Sequence, residues 1–257
     1  MIASLRFITD ALRIGQSKNF TTIFHVTMYK AGSQWIYKIL RDCAPKRTVE
    51  PSKEGVDHFL KDQIIAGKIY PTIYAPKGLF DRVQKPANSR HFVVLRDLRD
   101  TAVSAYFSLK ISHPVVGNIS DVRKILSEQR LEEGMLWIFQ NWLPSNAEIF
   151  SSWINSDERW IRYEDLLDHD QEILSAVLLE SCGLRIDRQK LSDIVASHRF
   201  DNFTGGRPRG TEDITSHGRK GIAGDWKNHF TPRLKEEFKN RFGELLIRAG
   251  YETSNDW

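Results

Sequence analysis

The stretch TTIFHVTMYKAGSQWIYKILRDC, residues 21–43, decides the fold. Residues 21–29 are rich in β-branched and aromatic side chains and read as a strand. SQWIYKILRDC, 33–43, places Trp35, Ile36, Ile39, Leu40 and Cys43 on one face at helical spacing. Between them stand Lys30, Ala31 and Gly32: a cation, a small residue, and a glycine that lets backbone approach a ligand closely. The amides of Ser33, Gln34 and Trp35 open the helix, and free N–H groups at a helix N-terminus attract anions. The same letters also fit a plain strand-to-helix turn carrying an exposed lysine. The Walker pattern GxxxxGK[ST] is absent, which counts against an ATP- or GTP-driven motor.

The alternation continues outward from this segment. KIYPTIYA, 68–75, is a weaker strand because Pro71 interrupts it. HFVVLRD, 91–97, is a strong strand, and residues 99–110 form a helix with Asp97 or Asp100 as its N-cap. Residues 132–154 are largely helical with a break at Pro144, and ERWIRYED, 158–165, reads as a strand. A helix then ends at Gly183, and residues 201–218 form a polar loop. The last helix, 231–251, has Thr231 as N-cap and Pro232 in its first turn. Strands alternating with helices predict an α/β fold with a mainly parallel central sheet flanked by helices. No Pro/Gly/Ser-rich linker divides the chain, so residues 1–257 are expected to form a single domain. In such sheets ligands bind beyond the carboxyl ends of the strands.

Composition narrows the function classes. The net charge is +4, with 40% hydrophobic and 27% charged residues, an ordinary balance for a globular protein. There is no basic run or aromatic pattern for nucleic-acid binding. Cys43 and Cys182 lie far apart without metal-ligand spacing and read as buried thiols. The N-terminus, MIASLRFITDALRIG, has no long apolar core or cleavage site, and no stretch approaches the ~18 apolar residues of a membrane span. The expected location is the cytoplasm, with no stable membrane insertion.

Two more segments suit an anion. VLRDLRDTAVSAYF ends a strand at Arg96 and carries Ser104 eight residues on, inside the helix. An arginine there can fork two phosphate oxygens, although Arg96 and Arg99 also fit as partners of Asp97 and Asp100. GRKGIAGDWKNHFT, 218–231, sets Arg219 and Lys220 beside Gly221, which fits a phosphate clamp or a solvated basic turn.

Taken together, these segments resemble the cytosolic-type sulfotransferases that use 3′-phosphoadenosine 5′-phosphosulfate (PAPS) as donor, and the expected member is of bacterial type. TMYKAGSQW is similar to that family's 5′-phosphosulfate loop, TYPKSGTTW, a P-loop-like element. LRDLRDTAVSAYF resembles its 3′-phosphate motif, and RKGIAGDWKNHFT matches its C-terminal donor motif almost letter for letter. RYEDLL is similar to its YEDL segment. The four occur in the family's order and span most of the chain. The resemblance implies sulfuryl transfer from PAPS to a hydroxyl, less readily an amine, leaving 3′-phosphoadenosine 5′-phosphate (PAP), with no metal required. It assigns Lys30, with Ala31, Gly32, Ser33 and Gln34, to the phosphosulfate and Trp35, Tyr163 and Phe200 to the adenine. Arg96, Ser104, Arg219, Lys220 and Gly221 fall to the 3′-phosphate. Trp35 and Phe200 fit equally as core aromatics. The donor carries roughly four negative charges, two of them on the 3′-phosphate above its second pKa of about 6. Transfer would be an in-line displacement aided by positioning and electrostatics.

Two departures stand out. Small-molecule members carry a basic histidine in a strand ending THLP; here PTIYAPKG puts Tyr74 at that position. A tyrosine of ordinary pKa, near 10, is a poor base. It would need a pKa lowered by Lys30 or Lys77, or a replacement such as Glu50, Glu54, Asp57 or His58. The family's dimer pattern KxxxTVxxxE meets Lys227, Thr231 and Glu236, but Pro232 replaces the valine, leaving the oligomeric state open. The acceptor, whether small molecule, lipid or glycan, is left to loops 44–67, 77–90 and 111–130 with Phe59, Leu60, Ile64, Ile65, Leu79 and Phe80. Residues 204–210 read as a mobile lid or a plain surface loop. The rival readings are a non-catalytic PAP-binding protein and a P-loop-type kinase.

Overall fold

The computed structural model describes residues 20–51 and 57–257; the N-terminal segment 1–19, and Glu54 among the candidate bases, lie outside the described residues. The side chains of Asp57 and His58 lie outside them too.

Strand β1 (Thr22–Thr27) is buried along its whole length and leads into α1 (Ser33–Cys43). A short helix, α2 (Asp57–Lys61), precedes β2 (Ile69–Ile73). Then follow α3 (Lys77–Arg82), β3 (Ser89–Leu95) and α4 (Leu98–Phe107), which runs on into a π-helical turn over Ser108–Ser112. Helices α5 (Ile119–Ser127), α6 (Leu131–Asn141) and α7 (Leu143–Ile154) lead to β4 (Ile161–Arg162). Helices α8 (Tyr163–Ser175), α9 (Arg188–Ser197), α10 (Phe200–Phe203) and α11 (Pro232–Arg248) complete the chain.

The sheet is parallel with order β2-β1-β3-β4. Period-two alternation builds two cores from the same strands. Phe24, Val26, Val93 and Leu95 point to one face, where α4, α6, α7 and α11 pack. Ile23, Phe92 and Val94 point to the other, onto Ile36, Ile39 and Leu40 of α1 and Leu166 and Leu174 of α8. Burial on both faces is why β1 and β3 read as near-continuous apolar runs.

Pro71 sits in β2 because β2 is an edge strand, where a missing N–H costs no ladder bond. The register slips opposite it: Phe24 pairs with Tyr70 but Val26 with Ile73, and Thr72 takes φ 57 at the bulge. The strand expected over 158–165 shrinks to Ile161–Arg162, and Tyr163 opens α8 instead. The aromatic letters mimic a strand, but Glu164 turns back to accept from the Asp97 amide at 3.0 Å and the Tyr251 hydroxyl at 2.8 Å. The break inside 132–154 falls at Trp142, so that Pro144 enters α7 in its first turn. Among the described residues no helix is long and apolar enough to cross a membrane.

Candidate functional site

With β2 on one side of β1 and β3 on the other, the strand order reverses between β1 and β3. Ligand crevices form at such a switch point. A cavity of about 2140 Å³ opens there. One drug-sized ligand occupies ~300–1,000 Å³, so this space accommodates a nucleotide and a second molecule.

Lys30 leaves β1 with φ 67, and Gly32 follows with φ 77. A left-handed lysine is strained, and such strain collects at functional sites. The loop is held from behind: the buried Asn146 side chain accepts from the Tyr29 amide at 2.8 Å. Gly32 caps α1 without any side-chain cap, and the first turn holds no acid. The helix therefore presents its amides and its positive dipole end to the cavity. A Cβ on Gly32 would lie 2.7 Å from Cε2 of Tyr163, so only glycine lets this loop pass the tyrosine ring.

Arg96 emerges from β3 beside this loop. Its guanidinium donates to the Lys30 carbonyl at 2.8 Å and lies 4.6 Å from the Tyr163 ring centre. Its Nε has no protein partner, and Asp100 stands 4.0 Å away. Arg99 behaves differently. It is buried against Asp97, at 2.7 Å, and Glu252, and stacks on Trp226 at 4.0 Å. The expected partners are met, but not at the surface: Arg99 pairs with Asp97 in the core, and Arg96, with Asp100 only at 4.0 Å, faces the cavity.

The third segment is docked on α4 by Asp100, which accepts from the Gly224 and Trp226 amides at 2.7 and 2.9 Å. Asp225 then gathers Arg219, Lys220 (2.6 Å), Asn228 (2.9 Å) and His229 (3.2 Å). Burial would raise this carboxyl, but the hydrogen bonds from His229, Lys220, Arg219 and Asn228 hold it far below the usual carboxylate range. Glu212, Asp225 and His229 form the one cluster of potential metal ligands among the described residues, and Arg219 and Lys220 already occupy its carboxylates. Gly221, at φ 68, has the Phe200 ring where a Cβ would stand, 2.4 Å away.

Lys30 feels this assembly. Burial, then the charges of Arg96 and Arg219, push its pKa down to about 8. Three like charges from three distant segments mark a site shaped for an anion.

The structure brings Lys30, Gly32, Ser33, Gln34, Trp35, Tyr74, Arg96, Ser104, Tyr163, Phe200, Arg219, Lys220 and Gly221 onto one cavity. Ala31 is fully buried and packs into the core instead. Trp35 meets Tyr163 edge-on at 6.5 Å and packs on the α1 core, and its indole N–H has no protein partner.

Tyr74 departs from expectation. Neither Lys30 nor Lys77 lowers its pKa; burial pushes it up to about 12. Its hydroxyl donates to Ser33 Oγ at 2.7 Å, and its ring stacks on Tyr29 at 4.0 Å. Lys77 is turned outward to Asp81 at 2.7 Å.

The cavity is also lined by Val49, Glu50, Phe59, Tyr70, Leu109, Val116, Ile119 and Trp142. Loops 44–67 and 111–130 contribute to it, but 77–90 does not. Phe80 is in the core, stacked on Phe59 at 5.3 Å and edge-on to Trp153 at 5.6 Å, and Leu79 packs beside it. Leu60 and Ile65 are exposed. Residues 204–210 reach the cavity through Gly206, Pro208 and Arg209, and Arg209 Nε bonds the Gly221 carbonyl at 2.9 Å. Asn146 and Asp225 escaped sequence reading, and Asp100, read as an N-cap or an arginine partner, leaves the cap to Asp97 and holds the Gly224 and Trp226 amides instead. Only Asn146 left a trace, as a polar residue on the apolar face of LPSNAEIF.

The comparisons with known proteins give the family and the fold. Residues 76–250 match the sulfotransferase domain family, a span that holds Arg96, Ser104, Tyr163 and the 218–231 segment but not the Lys30 loop. A 3-beta-hydroxysteroid sulfotransferase of Cavia porcellus is 22% identical across 96% of this chain and 89% of its own. Sulfotransferase 2B1 of Mus musculus is 26% identical across 91% of this chain and 75% of its own. Among solved structures, a mouse sulfotransferase complexed with PAP shares the fold with TM-score 0.63, 17% identity and coverage of 93% and 92%. A retinol dehydratase solved with androsterone and inactive cofactor PAP follows at TM-score 0.56, 13% identity and coverage of 88% and 80%. These relatives lend no support to a bacterial type. The chain belongs to the sulfotransferase domain family and is an enzyme that transfers a sulfuryl group from PAPS.

Proposed function

We propose that the chain, acting as one domain over 1–257 in the cytoplasm, sulfates a hydroxyl on an apolar small molecule. The convergence of Lys30, Arg96, Arg219 and Lys220 on one cavity carries this reading. Lys30 and the α1 amides hold the 5′-phosphosulfate and stabilise the oxygen that departs as sulfur is attacked. Arg96, Ser104, Arg219, Lys220 and the Gly221 amide take the 3′-phosphate. Trp35, Tyr163 and Phe200 enclose the adenine. Tyr74 fixes Ser33 in the phosphosulfate loop rather than removing a proton. An acceptor lies among Val49, Phe59, Leu109, Val116, Ile119 and Trp142, whose apolar surface suits a lipophilic body with one reacting hydroxyl. The relatives named for hydroxysteroids support that class.

Calorimetric titration with PAP, adenosine 5′-phosphate and ATP tests the donor half. Micromolar PAP binding that needs the 3′-phosphate and is lost in Arg96→Ala is expected. Equal affinity for the three nucleotides would overturn it. In Lys30→Ala turnover should fall at least about 100-fold with the fold intact, the scale of one lost transition-state donor. Near-normal turnover would remove Lys30 from the chemistry.

A further inference from the structure

The transfer requires a group to receive the acceptor's proton, and Tyr74 is not that group. Most other acids and bases of the cavity are engaged. Asp170 accepts from Arg199 at 2.8 and 2.9 Å, Asp168 pairs with Arg209 at 3.1 Å, His198 with Asp42 at 2.7 Å, and Glu50 accepts from Tyr37. His113 spends Nδ1 on the Pro114 carbonyl at 2.8 Å and keeps Nε2 free, so it stays a rival to His217.

His217 lines the same cavity as Lys30. Its loop is fastened on both sides. Asp213 donates its amide to the Arg219 carbonyl at 2.9 Å, and Arg207 clasps the carbonyls of Gly218 and, at 2.7 Å, Arg219. Gly218 abuts the Phe203 ring so closely that a Cβ would stand 2.6 Å from it, and Lys38 of α1 lies 4.3 Å over the same ring. The loop that carries the imidazole is thus fixed against Phe203, the ring that Lys38 of α1 also covers. Its side chain stays open to solvent, and partial desolvation by the protein, then the charges of Lys30, His113 and Lys38, hold its pKa below the ordinary histidine value. It is neutral at pH 7, with a ring nitrogen available to accept a proton.

Resting on the donor-site reading above, we propose that His217 is the general base of the sulfuryl transfer. The acceptor O–H proton moves to a ring nitrogen of His217 as the oxygen's electron pair forms the new S–O bond. The S–O bond to the 5′-phosphate oxygen breaks, and its electron pair stays on that oxygen, facing Lys30. The imidazolium then returns the proton to solvent. The bound donor offsets the charges of Lys30 and Lys38, so His217 rises toward the working pH when the donor arrives, where a base is most effective. Donor binding primes the base.

The first arm of the test needs no acceptor. Proton NMR follows the His217 ring, assigned by comparison with His217→Ala, through a pH titration without and with PAP. The resonance should titrate below the ordinary histidine value in the free protein and move up by about one pH unit or more with PAP, since the charges opposing protonation are neutralised. The second arm compares wild type with His217→Ala on 2-naphthol and on 4-nitrophenol, which ionises near neutral pH and needs no base. Turnover on 2-naphthol should fall roughly 100-fold or more, with a clearly smaller loss on 4-nitrophenol and unchanged PAP affinity. A His217 titration unmoved by bound PAP, or equal losses on the two phenols, would overturn the proposal. Wild-type protein that does not bind PAP would sink the donor site itself, which the same titration reveals separately.

Discussion

Gly32→Ala is the sharpest probe of how the site is assembled, because one methyl group meets two constraints at once. The residue stands at φ 77, and its added Cβ would lie 2.7 Å from the Tyr163 ring. A left-handed alanine costs about 1–2 kcal/mol. Overpacking against a confined ring adds about 1–3 kcal/mol. The sum, about 2–5 kcal/mol, lowers Tm by roughly 4–20 °C at ~2–4 °C per kcal/mol for a chain of this size. Gly183→Ala is the matched control. It has φ 63, but its Cβ would meet only Thr21 Oγ1 at 3.6 Å, an ordinary contact. It lies away from the cavity and should lose only the backbone part, about 1–2 kcal/mol. Tyr163 also carries Arg96 on its ring, 4.6 Å away, so displacing it moves the 3′-phosphate site. Calorimetry should find PAP affinity at least about tenfold weaker in Gly32→Ala, or ~1.4 kcal/mol, and unchanged in Gly183→Ala. Equal Tm losses and equal PAP affinities in the two variants would refute the packing argument.

Three further outcomes follow from the electrostatics. PAP affinity, measured by titration from pH 6 to 10, should decline as pH rises through about 8, because Lys30 loses its charge there; binding near that pH should take up protons, visible as a buffer-dependent enthalpy. Asp225 is held below its unfolded value of about 3.9, so the stability it contributes is complete above that pH and is lost as pH falls toward the depressed folded value. Asp225→Asn should therefore unfold at lower temperature at pH 7, by about 3 kcal/mol for breaking a buried pair, yet show a shallower loss between pH 5 and 2. Tyr74→Phe removes one hydrogen bond to Ser33, about 0.5–1.5 kcal/mol; turnover should fall less than about tenfold, and a complete loss would return Tyr74 to the chemistry.

The parts of the site legible in the sequence are those written locally. Lys30, Gly32 and the α1 face follow from a strand, a glycine and helical spacing within one segment. Arg96 and the 218–231 segment were visible as basic motifs, and their docking depends on Asp100, whose partners are 124 and 126 residues away. No periodicity encodes that contact. Tyr163 was misplaced in a strand because ERWIRYED has strand-like letters, while a carboxylate bonding at long range starts the helix. Phe80 looked available to an acceptor by residue type alone, and aromatic packing with Phe59 and Trp153 took it into the core. His217 carried no signal, since a lone histidine in a polar loop gains meaning only when the fold sets it on the same cavity as Lys30.

The cations of the cavity fall into two kinds, and the division fits the reaction. Arg219 and Lys220 share the Asp225 carboxylate, so their charge is balanced and their geometry is fixed. Such groups suit the 3′-phosphate, which is present before and after transfer and must be held without change. Lys30 has no carboxylate partner among the described residues, and Arg96 has one only at 4.0 Å. Their charge is uncompensated, as the lowered pKa of Lys30 records. An uncompensated cation is costly in the empty site and most useful where negative charge grows during the reaction, which is at the oxygen leaving sulfur. Pairing Lys30 with a carboxylate would relieve the empty protein and bind product equally well, but it would spend that field before the transition state. The arrangement therefore places fixed, neutralised cations on the part of the nucleotide that does not react and a strained, bare one on the part that does.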